Sequence, residues 1–178
     1  MFRNQFTTKM KRLIPVLAGL LCLVQPLVAQ PVFRMDAKAP NLTVEMLDGG
    51  TVKLSKCRGR VVLMSFWATW CKPCLKELHE VPDKILKRFE GQKFTMIAVA
   101  KGEPRVTVEK KMAELAAAGV VFPVGLDPYE KISRLLGDDR IPQLVVIGPD
   151  GVVRYHEVGY TPERLDEVAA LIETLLPR

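Results

Sequence analysis

Hydrophobic positions along the chain recur with two different periods. Residues 42–47 and 51–54 alternate one by one around Asp48-Gly49-Gly50, which predicts a β-hairpin. Val61–Trp67 is apolar at every position but Ser65, as expected of a central strand buried on both faces. Residues 75–89 then change period, with Leu75, Leu78, Val81, Ile85 and Leu86 at helical spacing. Pro82 lies inside that stretch and should kink it, because it removes a hydrogen bond and crowds the preceding turn. Residues 94–100 predict a second apolar strand. Residues 106–118 predict a helix with its charges on one side, ended by Gly119. A short strand is expected at 120–124 and a short helix at 129–136, closed by Gly137. Gln143–Ile147 and 152–158 read as strands around the turn Pro149-Asp150-Gly151. Thr161 is expected to cap a last helix running to about Leu176, with Pro162 at its first position and Glu163 in its first turn. This order implies an α/β sandwich around a mixed sheet, with right-handed crossovers between parallel strands.

Composition adds little: 48% hydrophobic and 26% charged residues, without low-complexity tracts or repeats, fit one globular domain. Charge placement says more. The formal net charge is +6, but residues 1–29 hold Arg3, Lys9, Lys11 and Arg12 and no acid. Without them the balance is 22 basic to 20 acidic residues, which gives no electrostatic case for nucleic-acid binding. Those 29 residues read as an export signal. A basic start is followed by an apolar run from Leu13 to about Val24, with Leu27-Val28-Ala29 as the cleavage site. An uncleaved amino-terminal membrane anchor is the alternative, although the run is shorter than the ~20 residues a spanning helix needs. Lipidation would use Cys22, but Leu21 before it is larger than such sites favour. Residues 30–40 are expected to form a tether, and 41–178 the domain.

Loss of Cys22 would leave Cys57, Cys71 and Cys74, too few for a disulfide framework. One C-x-x-C pair in an oxidising compartment suggests redox work rather than stapling. The pair sits in Trp70-Cys71-Lys72-Pro73-Cys74, between the strand at 61–67 and the helix that follows. A helix start turns free N–H groups and its positive dipole end toward a sulfur and so favours thiolate. Cys71, ahead of the helix, is expected to be the more exposed sulfur and the nucleophile. Cys74, one turn inside, is placed to resolve the mixed disulfide. Lys72 adds a positive charge beside the pair. A zinc site would need about four ligands, and no second C-x-x-C or H-x-x-x-H exists. Trp70 is expected on the docking surface beside the cysteines. Trp67 is expected in the core, Cys57 as a buried small hydrophobe, and His79 and His156 in structural or surface roles.

Phe66-Trp67-Ala68-Thr69-Trp70-Cys71-Lys72-Pro73-Cys74 closely resembles the active-site stretch of the thioredoxin superfamily. The amino-terminal hairpin, the approach through residues 57–60 and the extra helix at 106–118 resemble its TlpA/ResA branch of extracytoplasmic thiol–disulfide oxidoreductases. The resemblance implies a thioredoxin-like sandwich, its central mixed sheet flanked by helices, with an N-terminal hairpin and an inserted helix. It also implies a cis Ile141-Pro142 bond facing the cysteines, where the Ile141 backbone could pair with substrate, and Pro73 as the proline of reducing members. Glu77, in place of the acid that Ser65 lacks, would handle protons for Cys74. Protein disulfides would be the substrates and a membrane-embedded thiol relay the electron donor. The chain would act as a monomer without a cofactor. Oxidase or isomerase activity, a thiol peroxidase and a non-catalytic binding module stay open as alternatives. The peroxidase motif P-x-x-x-[TS]-x-x-C has no match around Cys71.

Overall fold

The computed structural model describes residues 33–177. The expected export signal or anchor at 1–29, and the first residues of the tether, lie outside them. Seven strands form one mixed sheet: β1 (Thr43–Met46), β2 (Thr51–Lys53), β3 (Val61–Trp67), β4 (Phe94–Lys101), β5 (Val124–Asp127), β6 (Gln143–Ile147) and β7 (Val153–Val158). Their order across the sheet is β2-β1-β5-β4-β3-β6-β7. The helices are α1 (Lys72–Val81), α2 (Arg105–Ala117) and α3 (Arg164–Leu175). This is the α/β arrangement around a mixed sheet that the order of elements implied, and the thioredoxin-like one that the resemblance implied.

The parallel pairs β3–β4 and β4–β5 step the same way across the sheet. Right-handed crossovers therefore put α1 and α2 on one face. A buried cluster bears this out, gathering Leu78 and Val81 of α1, Val108 and Leu115 of α2, and Leu165, Val168 and Ile172 of α3. The other face is covered differently, by Phe33, by Leu54 in a 3-10 turn (Leu54–Lys56), and by Ile132 and Leu136. Strand alternation divides β3 between the two faces. Val61, Leu63 and Trp67 join the helical side, while Val62, Met64 and Phe66 join the other. Ser65 is thereby aimed at the helices.

The described part of the expected tether, residues 33–40, packs on the domain. Phe33 is buried, its N–H donates to Leu135 O, and Lys38 bridges Val152. Other boundaries shift for identifiable reasons. The helix expected at 75–89 begins at Lys72 and is regular only to Val81. Pro82–Leu86 forms a π-helical turn in which the Lys87 N–H reaches back to Pro82 O. The strand expected at 120–124 starts only at Val124, because Pro123 has no N–H to give to a ladder. Val120 and Phe122 are nonetheless buried, as alternation required. The helix expected at 129–136 shrinks to a 3-10 turn (Ser133–Leu136), since Glu130 adopts a φ of 55° that interrupts it. Thr161 and Pro162 precede α3, whose first acids are Asp166 and Glu167.

Gly125 shows how tightly the sheet is covered. A side chain there would press against Val44 Cγ1 and lie 2.9 Å from Ile97 Cγ2. Gly125→Ala is expected to lower stability by about 1–3 kcal/mol through overpacking, read as an earlier urea midpoint with an unchanged slope.

Candidate active site

Three loops converge at the C-terminal end of β3 because that strand is internal to the sheet. The chain leaving β3 runs beside the chain leaving β4, since Trp67 pairs with Ala100. It also meets the chain entering β6, since Phe66 pairs with Gln143. Residues 68–74, 101–103 and 138–142 are therefore neighbours although far apart in sequence.

Cys71 is the N-cap of α1, and its sulfur lies 3.3 Å from the backbone N–H of Cys74, which points at it. Pro73 falls in the first turn, where its missing N–H leaves nothing unsatisfied. The two sulfurs form a disulfide, with 5.3 Å between the Cα atoms. Cys71 is the more exposed, but narrowly, at 4% against 0% for Cys74. Trp70 beside it is 70% exposed, whereas Trp67 is fully buried and meets Phe122 edge-on at 6.0 Å. Lys72 is exposed.

The Ile141-Pro142 bond is cis, as the resemblance implied. Ile141 O lies 3.9 Å from Cys71 Sγ. Neither the N–H nor the C=O of Ile141 has a backbone partner among the described residues. The loop is held from behind by Gln143, whose Nε2 donates to Asp138 O at 2.8 Å and Arg140 O at 2.6 Å. That fixes Gln143 Oε1 toward His156 Nε2 at 2.8 Å, so His156 is the donor in this bond. Burial lowers the pKa of His156. His156 is thus joined to the loop before β6, while His79 stays exposed on α1.

Glu77 is fully buried. It lies one turn beyond Cys74 on the inner side of α1, and its Oε1 accepts a 3.0 Å hydrogen bond from Ser65 Oγ. Its Oε2 has no partner among the described residues. Burial pushes the carboxyl up to about 7, against the opposing pull of the Ser65 hydrogen bond and the Arg164 charge. The strand position that lacks an acid supplies the hydroxyl that holds one.

Glu103 was not singled out by the sequence. It is buried after the end of β4 and accepts from the Thr69 N–H at 2.7 Å and Thr69 Oγ1 at 2.5 Å. It therefore ties down the turn that delivers Cys71. Gln143 was missed likewise. Both are polar residues at strand ends, where a sequence gives no sign of burial. Cys57, expected to be buried, is only half-buried, and its Sγ donates to Lys53 O at 3.5 Å. It lines a cavity of 220 Å³ together with Leu54, Val62 and Ile147. Burial raises its pKa, against the Arg60 charge. It precedes β3 and so sits at the opposite end of that strand from Cys71, roughly 20 Å away. Exchange between those two sulfurs within one molecule is excluded.

Comparison with known proteins gives a consistent picture. The profile of the AhpC/TSA family matches residues 35–156. Among curated proteins, the thiol-disulfide oxidoreductase ResA of Bacillus subtilis is 34% identical over 115 residues, 65% of this chain and 62% of that protein. The ResA of Bacillus thuringiensis (strain Al Hakam) is 31% identical over 75% of each chain. Among solved structures, a putative protein disulfide isomerase from Bacteroides thetaiotaomicron superposes with a TM-score of 0.72 and 32% identity, over 82% of this chain and 91% of that one. A putative thiol:disulfide interchange protein DsbE from Chlorobium tepidum gives 0.70 and 27%, over 80% and 98%.

Proposed function

The chain belongs to the AhpC/TSA family and is a ResA-like thiol–disulfide oxidoreductase of the thioredoxin superfamily; on that premise we propose that it is an exported reductase of disulfides in other proteins. The observation that carries the proposal is the Cys71–Cys74 pair at the start of α1, its outer sulfur beside the unpaired backbone of Ile141. In the dithiol form the Cys71 thiolate attacks a substrate disulfide. One substrate sulfur leaves as thiolate and takes up a proton, and the other is bound to Cys71. Cys74 then loses its proton and attacks the Cys71 sulfur. This expels the second substrate thiolate and leaves the disulfide seen here. Glu77 receives that proton at its unpartnered Oε2, and a carboxyl whose pKa lies near 7 can both take and release one. The Ile141 backbone offers a donor and an acceptor to the substrate strand, Trp70 an apolar contact, and Lys72 a charge favouring thiolate. Pro73 fixes the first turn of α1, and Pro142 the loop facing it.

Two electrons and two protons must return to the pair after each turnover. A membrane-embedded thiol relay is the donor we infer, in keeping with the signal-like residues 1–29 and extracytoplasmic work. Direction is tested by equilibrating the protein with glutathione. A potential near the roughly −270 mV of reducing members is expected, and one near the roughly −120 mV of strong oxidants would make the protein an oxidase.

A further inference from the structure

We propose that the outer face of α1 is a docking groove for an acidic segment of the substrate protein, with Lys72 and Lys76 as its charge readers. This rests on the reductase function proposed above. The first turn of α1 carries no acid, and Lys72 and Lys76 sit at its start, four residues apart. Both the helix dipole and their mutual repulsion disfavour cations there. Among the described residues neither has a carboxylate within ion-pair distance, whereas Lys84 and Arg140 do. Lys84 holds Glu80 and Asp166, both at 2.8 Å, and Arg140 holds Asp138 at 2.5 Å. The groove beside Cys71 is lined by Lys72, Leu75, Lys76, His79, Glu80 and Tyr160. Its one acid is already committed, because Glu80 accepts from Tyr160 Oη at 2.9 Å as well as pairing with Lys84. The groove therefore presents two unmatched positive charges over an apolar floor of Leu75 and Tyr160, next to the exposed Trp70. A polypeptide with carboxylates spaced about one helical turn apart and an apolar side chain between them complements it.

The test uses the full-length protein and three oxidised peptides that share one disulfide loop but carry Glu, Gln or Lys on its flank. The groove predicts the lowest KM for the Glu peptide, by about two- to fivefold per lysine engaged. The Gln peptide should be intermediate and the Lys peptide poorest. Raising ionic strength from about 0.1 to about 1 M, which shortens the Debye length from about 10 to about 3 Å, should erase the ranking. Lys76→Glu, outside the C-x-x-C motif, should reverse it through KM rather than kcat. Equal KM values for the three peptides, or a ranking that Lys76→Glu leaves intact, would overturn the groove while the reductase function stood. Failure of the wild type to reduce any peptide would instead overturn the reductase function. If Lys76→Glu abolishes self-association or binding to anionic vesicles without altering peptide preference, the groove serves a second copy or a membrane, and the proposal fails.

Discussion

Cys71→Ser is expected to cut protein-disulfide reduction by roughly three orders of magnitude or more, leaving the fold intact. A hydroxyl at the N-cap accepts the Cys74 N–H as a sulfur does, so α1 keeps its start. What is lost is the nucleophile, because serine does not ionise near neutral pH even at a helix end. Cys74 cannot substitute, since it has no exposure at all while Cys71 keeps 4%. Cys71 is at the N-cap, ahead of the helix, and Cys74 one turn inside it, and access governs exchange as strongly as thiolate content does. Cys74→Ser should behave in the opposite way. Cys71 still attacks, no second sulfur releases the substrate, and mixed disulfides accumulate, visible on non-reducing gels and identifiable by mass. Both variants belong in a Cys57→Ser background, so that the third thiol adds no label. Normal turnover in Cys71→Ser would remove the proposed nucleophile. Adducts on neither variant would point to a binding domain that keeps its disulfide for structure.

Much of this was legible from the residues, and the parts that were not share a cause. The run at Val61–Trp67 announced a strand covered on both sides, and C-x-x-C before a helical period placed the sulfurs at the helix start. Periodicity and turn chemistry are local, so local features came through. The contacts that complete the site are not local. Ser65 meets Glu77 where α1 packs on β3, Thr69 meets Glu103 beyond the ends of the parallel β3–β4 pair, and Gln143 ties the loop before β6 to His156 of the adjacent strand. A glutamate at a buried position reads the same in sequence as one on the surface. The resemblance supplied Glu77 and the cis Ile141-Pro142 bond, which spacing alone could not. Where expected boundaries moved, a backbone constraint had overruled side-chain pattern, as at Pro123 and at the positive φ of Glu130.

Glu77 should make folding stability fall as pH rises through neutrality, and Glu77→Gln should remove that fall. The carboxyl is pushed from its usual 4.5 up to about 7 in the folded protein, chiefly by burial. Between those values the folded chain holds a proton that the unfolded chain releases, so unfolding becomes easier with each step up in pH. The stabilising contribution is whole below about 4.5 and lost as pH passes about 7, a total on the order of 3 kcal/mol. Glutamine stays neutral throughout and can still accept from Ser65 Oγ. Urea denaturation of the disulfide form at about pH 5 and about pH 8 should therefore show the wild type losing roughly 2.5 kcal/mol more than the variant. His156 titrates nearby but is present in both proteins and cancels in the difference. Parallel stability curves would mean that Glu77 does not hold its proton in that range. A separate measurement addresses catalysis. If thiol titrations of the two reduced proteins coincide, Glu77 has no part in moving the Cys74 proton, and its burial serves the fold alone.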